Sequence, residues 1–341
     1  MKVLIIGGTG LISTGITDIL LDRGVEVTHY NRGLRSREFE GRVTTVVGNR
    51  YDHAQFELQA AELPTFDCVI EMIGYDPEDV RSLLRAFGGR TGHLIFCSTV
   101  DVYARPASAY PVKESEPFRP AAWDYAQKKA QCEAILWEWY EREGRPLTVL
   151  RPVHTYGEQG AVLHTFGGSS YHLDRLKKGK PIIVHGDGSS LWSSVYRDDA
   201  AEAFANAVCN PIAFGKAYHL PGDECVTWNQ YHEIVAEAIG APKPKLVHIP
   251  TDLLYTVDRR AFITAVNFQY NNCFDATAAK RDLGYQYRMT IAEGARRIYD
   301  WHVRTGRLEN SDDVPHDDVI IAAWERLCAR MRRELAESDD R

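Results

Sequence analysis

The sequence predicts an α/β protein, with a doubly wound parallel sheet followed by a smaller C-terminal α/β lobe. Three observations carry this. Apolar runs of strand length alternate with helix-length stretches from Met1 to Pro152. The runs have no polar alternation, as in strands covered on both faces. The first of them breaks at Gly7-Gly8-Thr9-Gly10, directly ahead of a helical pattern.

Lys2-Val3-Leu4-Ile5-Ile6 is the first strand. Leu11, Ile12, Ile16, Ile19 and Leu20 then recur at helical spacing, and Gly24 stops the helix. Val25 to Tyr30 is the second strand. Strand, glycine turn, helix and strand make the dinucleotide-binding, Rossmann-type unit. Gly7 allows the tight turn, and Gly10 lets the backbone approach a pyrophosphate. The helix N-terminus offers N–H groups and a positive dipole end to that anion. The unit departs from the usual fingerprint twice. Ser13 takes the third glycine position, where a small residue still permits close packing. Asn31, followed by Arg32, takes the place of the acid that bonds the adenosine ribose. Without that carboxylate a 2′-phosphate is not repelled, and Arg32 can pair with it. This tilts the expectation slightly from NAD toward NADP; the alternative is that Arg32 is a solvated loop residue.

Val43 to Val47 is the third strand, Asp52 to Glu62 a helix, and Phe66 to Ile73 the fourth strand. Pro77 to Phe87 is a helix opened by its proline. Gly92 to Cys97 is the fifth strand. A long helix runs from about Ala121 to Glu143, stops at Gly144, and leads into a sixth strand, Leu147 to Arg151. Glu158 to Ser170 is a loop bordering a site. A helix (Tyr171 to Lys178), a strand (Pro181 to His185) and the turn Gly186-Asp187-Gly188 follow. Asp198-Asp199 is expected to cap a helix through Cys209, and an acidic helical tail covers Asp312 to Arg341. The expected domains are 1–155 for the dinucleotide, rejoined by about 190–212, and 156–341 for the substrate.

Composition narrows the function. The net charge of −7 disfavours non-specific binding to nucleic acid or anionic membrane. The seven cysteines are odd in number and form no C-x-x-C pair. That argues against a disulfide framework or a structural zinc site, and no metal is expected. The chain enters its first strand at once, without a signal peptide, and holds no run long enough to span a membrane. A cytoplasmic location is the expectation.

Tyr125 and Lys129 stand four residues apart at the start of the long helix, and so share one face. A cation beside a phenol favours the phenolate, which equips such a tyrosine for general acid–base work. The pair follows Cys97-Ser98-Thr99-Val100-Asp101-Val102-Tyr103. With the glycine motif, Leu150-Arg151-Pro152 through Tyr156-Gly157, Gly186-Asp187-Gly188, and Phe274-Asp275 through Leu283-Gly284-Tyr285, the chain resembles an extended short-chain dehydrogenase/reductase of the NAD(P)-dependent epimerase/dehydratase type. The resemblance covers about residues 1 to 305, in order.

The resemblance implies a tyrosine-assisted hydride transfer on a sugar or nucleotide sugar. Epimerisation comes first; dehydration and ketone reduction are alternatives. Tyr125 would take the hydroxyl proton, Thr99 would bond the same oxygen, and Lys129 would bind the nicotinamide ribose. Ser98 is the adjacent alternative to Thr99. The cofactor would lie over Gly7, Thr9, Gly10, Leu11 and Ile12, with Asn31 and Arg32 at the second strand. Asn49, Ile73, Pro152 and His154 join Tyr125 and Lys129 as its remaining contacts. On the substrate side, Asp101 is either an acid–base group or a loop-capping carboxylate. His154 replaces the usual asparagine, and is a substrate contact or a wall residue. Trp192 stands where relatives carry a diphosphate-gripping arginine, and either stacks on substrate or packs in the core. Arg197 is the nearest cationic substitute. Relatives often pair two helices from each subunit, so a homodimer is expected. Within the family, His154 to Gly157 and Ser190-Leu191-Trp192 resemble the branch that includes chloroplast stem-loop-binding proteins. That keeps open a second class, an RNA-binding or RNA-cleaving protein on the same scaffold, although the net acidity makes nucleic acid the less favoured partner.

Overall fold

The computed structural model describes residues 1–35, 39–118 and 123–339. The described chain divides into two compact units: Met1–Tyr156 with Ser193–Asp223 and Cys273–Met289, and the remainder. The first unit thus recruits residues 193–223, and also residues 273–289, which the sequence reading had left in the second lobe.

The first unit is built on β1 (Lys2–Ile6), α1 (Leu11–Asp22), β2 (Glu26–Asn31), β3 (Thr44–Val47) and α2 (His53–Ala61). It continues through β4 (Cys68–Glu71), α3 (Pro77–Phe87), β5 (Leu94–Cys97), α4 (Asp124–Glu143) and β6 (Leu147–Pro152). Its sheet has seven strands in the order Lys216–Leu220, β6, β5, β4, β1, β2, β3. All pairings are parallel. The chain reverses its direction of growth at β1 and β4, the switch point where such sheets bind ligands beyond their carboxyl ends.

Alternation along β1 explains why the run looked apolar throughout. Val3 and Ile5 enter one core with Ile16, Leu20, Ala200 and Phe204, whereas Leu4 enters the opposite core with Phe56, Val80, Leu83 and Leu136. Each face is covered by helices, so neither needs polar residues. On α1, a Cβ at Gly15 would stand 2.8 Å from the Ala201 Cβ, so α1 and the helix Arg197–Ala207 pack at glycine distance. Ser13 is buried and its carbonyl accepts from Thr17, which accommodates the missing third glycine.

Several boundaries shift. The fourth strand is only Cys68–Glu71, because Met72 to Tyr75 turn away over its end. The long helix begins at Asp124; Ala121 lies outside the described residues. Asp198 and Asp199 fall in the first turn of the helix capped by Tyr196. Asp199 instead accepts the backbone N–H groups of Arg288 and Met289. The tail helix starts at His316, after Pro315, and is described to Asp339.

The second unit holds the parallel pair Ile182–His185 and Leu246–Ile249, the helix Trp228–Ala238 and the helix Ile291–Arg304. Among the described residues no helix is long and apolar enough to cross a membrane.

Candidate functional site

The glycine turn after β1 is held from beneath. Gly7 takes φ +86°, and its N–H donates to the Tyr30 carbonyl at 2.9 Å. A Cβ at Gly7 would meet Ile73 at 2.7 Å, and one at Gly8 would meet the His29 ring at 2.4 Å. His29 is buried, bonded to Thr17 at 2.8 Å, and burial pushes its pKa down to about 4. Gly10 opens α1 with no capping side chain, leaving first-turn N–H groups for a ligand.

In front of this turn lies a cavity of about 500 Å³, lined by Thr9, Asn31, Arg32, Arg35, Asn49 and Tyr51 among others. The Asn31 Oδ1 accepts from the Gly33 N–H at 2.7 Å, while its buried Nδ2 has no partner among the described residues. An orphaned donor in such a wall fits an acceptor oxygen of a ligand. A dinucleotide suits this donor, the uncapped helix and the three arginines of the wall, Arg32, Arg35 and Arg50.

A second cavity of about 260 Å³ shares Gly7, Gly10, Ile73 and Tyr75 with the first. It brings together Leu11, Ile12, Ser98, Thr99, Tyr125, Lys129 and Pro152, from four separate stretches of chain. Thr99 and Tyr125 line this cavity together. The Lys129 ammonium is buried and donates to the Cys97 carbonyl at 2.8 Å. It also lies 4.8 Å from the Tyr75 ring and 4.7 Å from Phe96. Burial lowers the Lys129 pKa. Burial, helped by the Asp101 carboxylate, holds the Tyr125 phenol well above its ordinary value, so the phenol is protonated. The sequence reading expected the opposite direction. Desolvation of the phenol is the largest cause.

Behind the cavity, Ser98 is committed elsewhere. Its hydroxyl donates to the buried Glu133, which also takes the Arg151 Nε at 2.9 Å. Arg151 continues to Tyr103, and Tyr103 bonds His219 at 2.8 Å. Ser98 therefore supports the floor of the site, and Thr99 is the neighbouring hydroxyl that shares the cavity with Tyr125.

Four expected substrate or cofactor residues land differently. Val153 and Thr155 line the second cavity, but His154 does not, because neighbours along an extended segment face opposite sides. The His154 Nδ1 lies 3.2 Å from the Ser194 hydroxyl, and burial lowers its pKa to about 4. Trp192 is 4% exposed in the second unit, packed on Trp228 and Phe268 at ring distances of 5.0 and 4.9 Å. It is a core residue, without a face open to a sugar. Asp101 pairs with Arg105 at 3.7 Å, and its N–H caps onto Thr99. Arg197 lies 3.3 Å from Asp198 at the start of its helix. Conversely, Tyr75, Tyr51 and Arg35 line the cavities without having been singled out. Only the proximity of Arg35 to Arg32 offered a signal.

Comparison with known proteins fits this geometry. Residues 3–219 match the NAD dependent epimerase/dehydratase family. The chain belongs to that family. It is 26% identical to the chloroplast stem-loop binding protein of 41 kDa b of Arabidopsis thaliana, over 94% of this chain and 84% of that protein. It is equally 26% identical to the 2'-dehydrokanamycin reductase of Streptomyces kanamyceticus, over 92% of this chain and 87% of that one. UDP-glucuronic acid 4-epimerase of Bacillus cereus, solved in complex with NAD, shares the fold with a TM-score of 0.70. That likeness spans 90% of this chain and 98% of that one at 17% identity, and speaks for the fold alone. As a family member, the chain is an enzyme of the NAD-dependent epimerase/dehydratase class.

Proposed function

We propose that the protein is an NAD(P)-dependent epimerase acting on a sugar or nucleotide sugar by reversible hydride transfer. The observation that carries this is the meeting of Thr99, Tyr125 and Lys129 in one cavity that shares Gly7 and Gly10 with the dinucleotide groove. The bound dinucleotide supplies the hydride acceptor and donor. Tyr125 exchanges the proton of the reacting hydroxyl, and Thr99 holds the same oxygen. Lys129 contributes fixed positive charge where negative charge develops on that oxygen. Epimerisation returns the hydride to the same substrate, so the cofactor stays bound.

Ketone reduction is the second reading. A protonated phenol is set to donate a proton to a developing alkoxide, the reductive direction. Dehydration fits less well, since Asp101 is paired with Arg105. Similarity to a stem-loop-binding protein supports an RNA reading as well. Arg32 and Arg35 at the groove wall support a slight preference for NADP. A homodimer through the exposed faces of α3 and α4 is the assembly proposed, to be read from the mass in solution.

Mass spectrometry of the as-purified protein tests the main reading, together with NMR of candidate sugars and nucleotide sugars incubated with it. Retained dinucleotide and interconversion of two epimers are the expected results. Net consumption of added NADPH with a keto sugar would select the reductase reading. Salt-dependent binding of a structured RNA, with neither activity, would select the third.

A further inference from the structure

Arg50 lines the larger cavity, has no role in the scheme above, and is among the largest fully buried side chains. It follows β3, where the sequence gives no reason to expect a buried charge. Its Nε donates to Glu71 at 2.8 Å, a terminal nitrogen donates to the main-chain carbonyl of Asp79, and its guanidinium lies 4.0 Å from the Phe56 ring. It thereby ties the end of β4 to the first turn of α3.

Both of these acids hold the turn between them. The second oxygen of Glu71 accepts the Ile73 N–H at 2.9 Å. The Asp79 carboxylate accepts the N–H groups of Tyr75 and Asp76, each at 2.9 Å, and meets His53 at 2.8 Å. The turn is packed tightly as well: a Cβ at Gly74 would stand 3.1 Å from the Glu71 Cγ and from Phe96. Ile73 and Tyr75, the side chains this turn presents, line both cavities of the groove. The Tyr75 ring lies 6.3 Å from that of Tyr125 and 4.8 Å from the Lys129 ammonium. For stability alone, an apolar pair of equal volume would serve as well as Arg50 and Glu71. It could not accept the Ile73 N–H or bridge to Asp79.

We propose that Arg50, acting through Glu71 and Asp79, is the positioning residue that fixes the 73–76 turn and so sets Tyr75 against Lys129 and Tyr125. This rests on the reading of the groove as a dinucleotide site. Arg50 lines the larger cavity, and one of its terminal nitrogens is buried without a partner among the described residues; its bonds to Glu71 and Asp79 are what aim the wall that joins the two cavities.

The test is a fluorescence titration with NADH and NADPH of the full chain, as wild type, Arg50→Lys, Tyr75→Ala and the double variant. Lysine keeps the charge, but its single ammonium cannot span both partners. Arg50→Lys is expected to stay folded, with a thermal midpoint within about 3 °C of wild type, and to bind the dinucleotide about tenfold more weakly. Tyr75→Ala should lose a similar factor, and the double variant no more than either single one, since both act through one turn. Additive losses overturn the proposal, as does a folded Arg50→Lys with wild-type affinity. Should Arg50→Lys not fold, Tyr75→Ala decides. Tyr75 is 42% exposed and can be truncated safely; wild-type affinity there overturns the proposal, and a tenfold loss upholds the turn as the acting element. A wild-type chain that binds neither dinucleotide overturns the functional reading together with this one. A wild type that binds, with Arg50→Lys unchanged, overturns this one alone.

Discussion

Around Asn31 the groove is made largely of backbone and loosely held side chains: an uncapped helix end, the orphaned Asn31 amide, and exposed Arg32. Around Tyr125 the wall is buried and tied. Lys129 is fixed to Cys97, Ser98 to Glu133, and Glu133 to Arg151. Under the proposed function, the contrast follows the work of each end. Gripping an anion needs N–H groups and charge at the surface. Moving a proton at one defined atom needs a dry, preorganised setting. Substitutions at the first end should therefore change affinity, and those at the second should change turnover or stability.

The largest expected effect is at the buried end. Tyr125→Phe should lower turnover about a thousandfold while leaving dinucleotide affinity within about twofold of wild type. Turnover and cofactor titration, measured together, check it, and equal losses in both would erase the contrast. Next, Glu133→Ala should destabilise the protein by about 3 kcal/mol, since it strands the buried Arg151 charge. Urea unfolding measures this, and a loss below about 1 kcal/mol would mean that the pair behaves like a surface one.

An effect of pH reaches the floor of the other end. His29 is kept neutral by burial, with a pKa of about 4 against the ordinary 6.5. In the unfolded chain it gains a proton below 6.5. Stability is thus complete above pH 6.5 and is lost as the pH falls through 4, by on the order of 3 kcal/mol from this residue. His93 and His154, both lowered to about 4 by burial, act in the same direction. A thermal midpoint that stays flat between pH 7 and 4 would contradict this. The smallest effect belongs to the exposed wall. Arg32→Ala should weaken NADP by about tenfold or less and leave NAD unchanged. Competition titrations decide it, and equal losses for both would remove the argument for a 2′-phosphate.

The same contrast governs what could be read from sequence. β1, the glycine turn, α1 and β2 depend on neighbours within thirty residues, so spacing and turn chemistry revealed them. The Tyr125–Lys129 pair was legible for the same reason, as two residues one helical turn apart. Arg50 was not, because its partners Glu71 and Asp79 come from the next strand and helix. Trp192 was ambiguous because an aromatic near a glycine turn suits a ligand or a core equally; its packing on Trp228 favours the core. For His154 the sequence left a ligand contact and a wall residue open; a period of two puts Val153 and Thr155 on the cavity side, and His154 bonds Ser194. The protonation of Tyr125 escaped because spacing reveals a cation but not the depth of burial around a phenol.

The contact of Gly15 with Ala201 has a consequence for how the protein is made. The helix that packs on α1 emerges from the ribosome some 180 residues after it, and the edge strand Lys216–Leu220 later still. The segment Cys273–Met289 also belongs to the first unit. Nascent chains shorter than this hold the whole glycine motif with one face of the sheet incompletely covered. Long-range closure of this kind slows folding. The most recognisable part of the sequence is thus among the last to be finished, and a chain truncated after Tyr156 would keep the motif without the unit that makes it work.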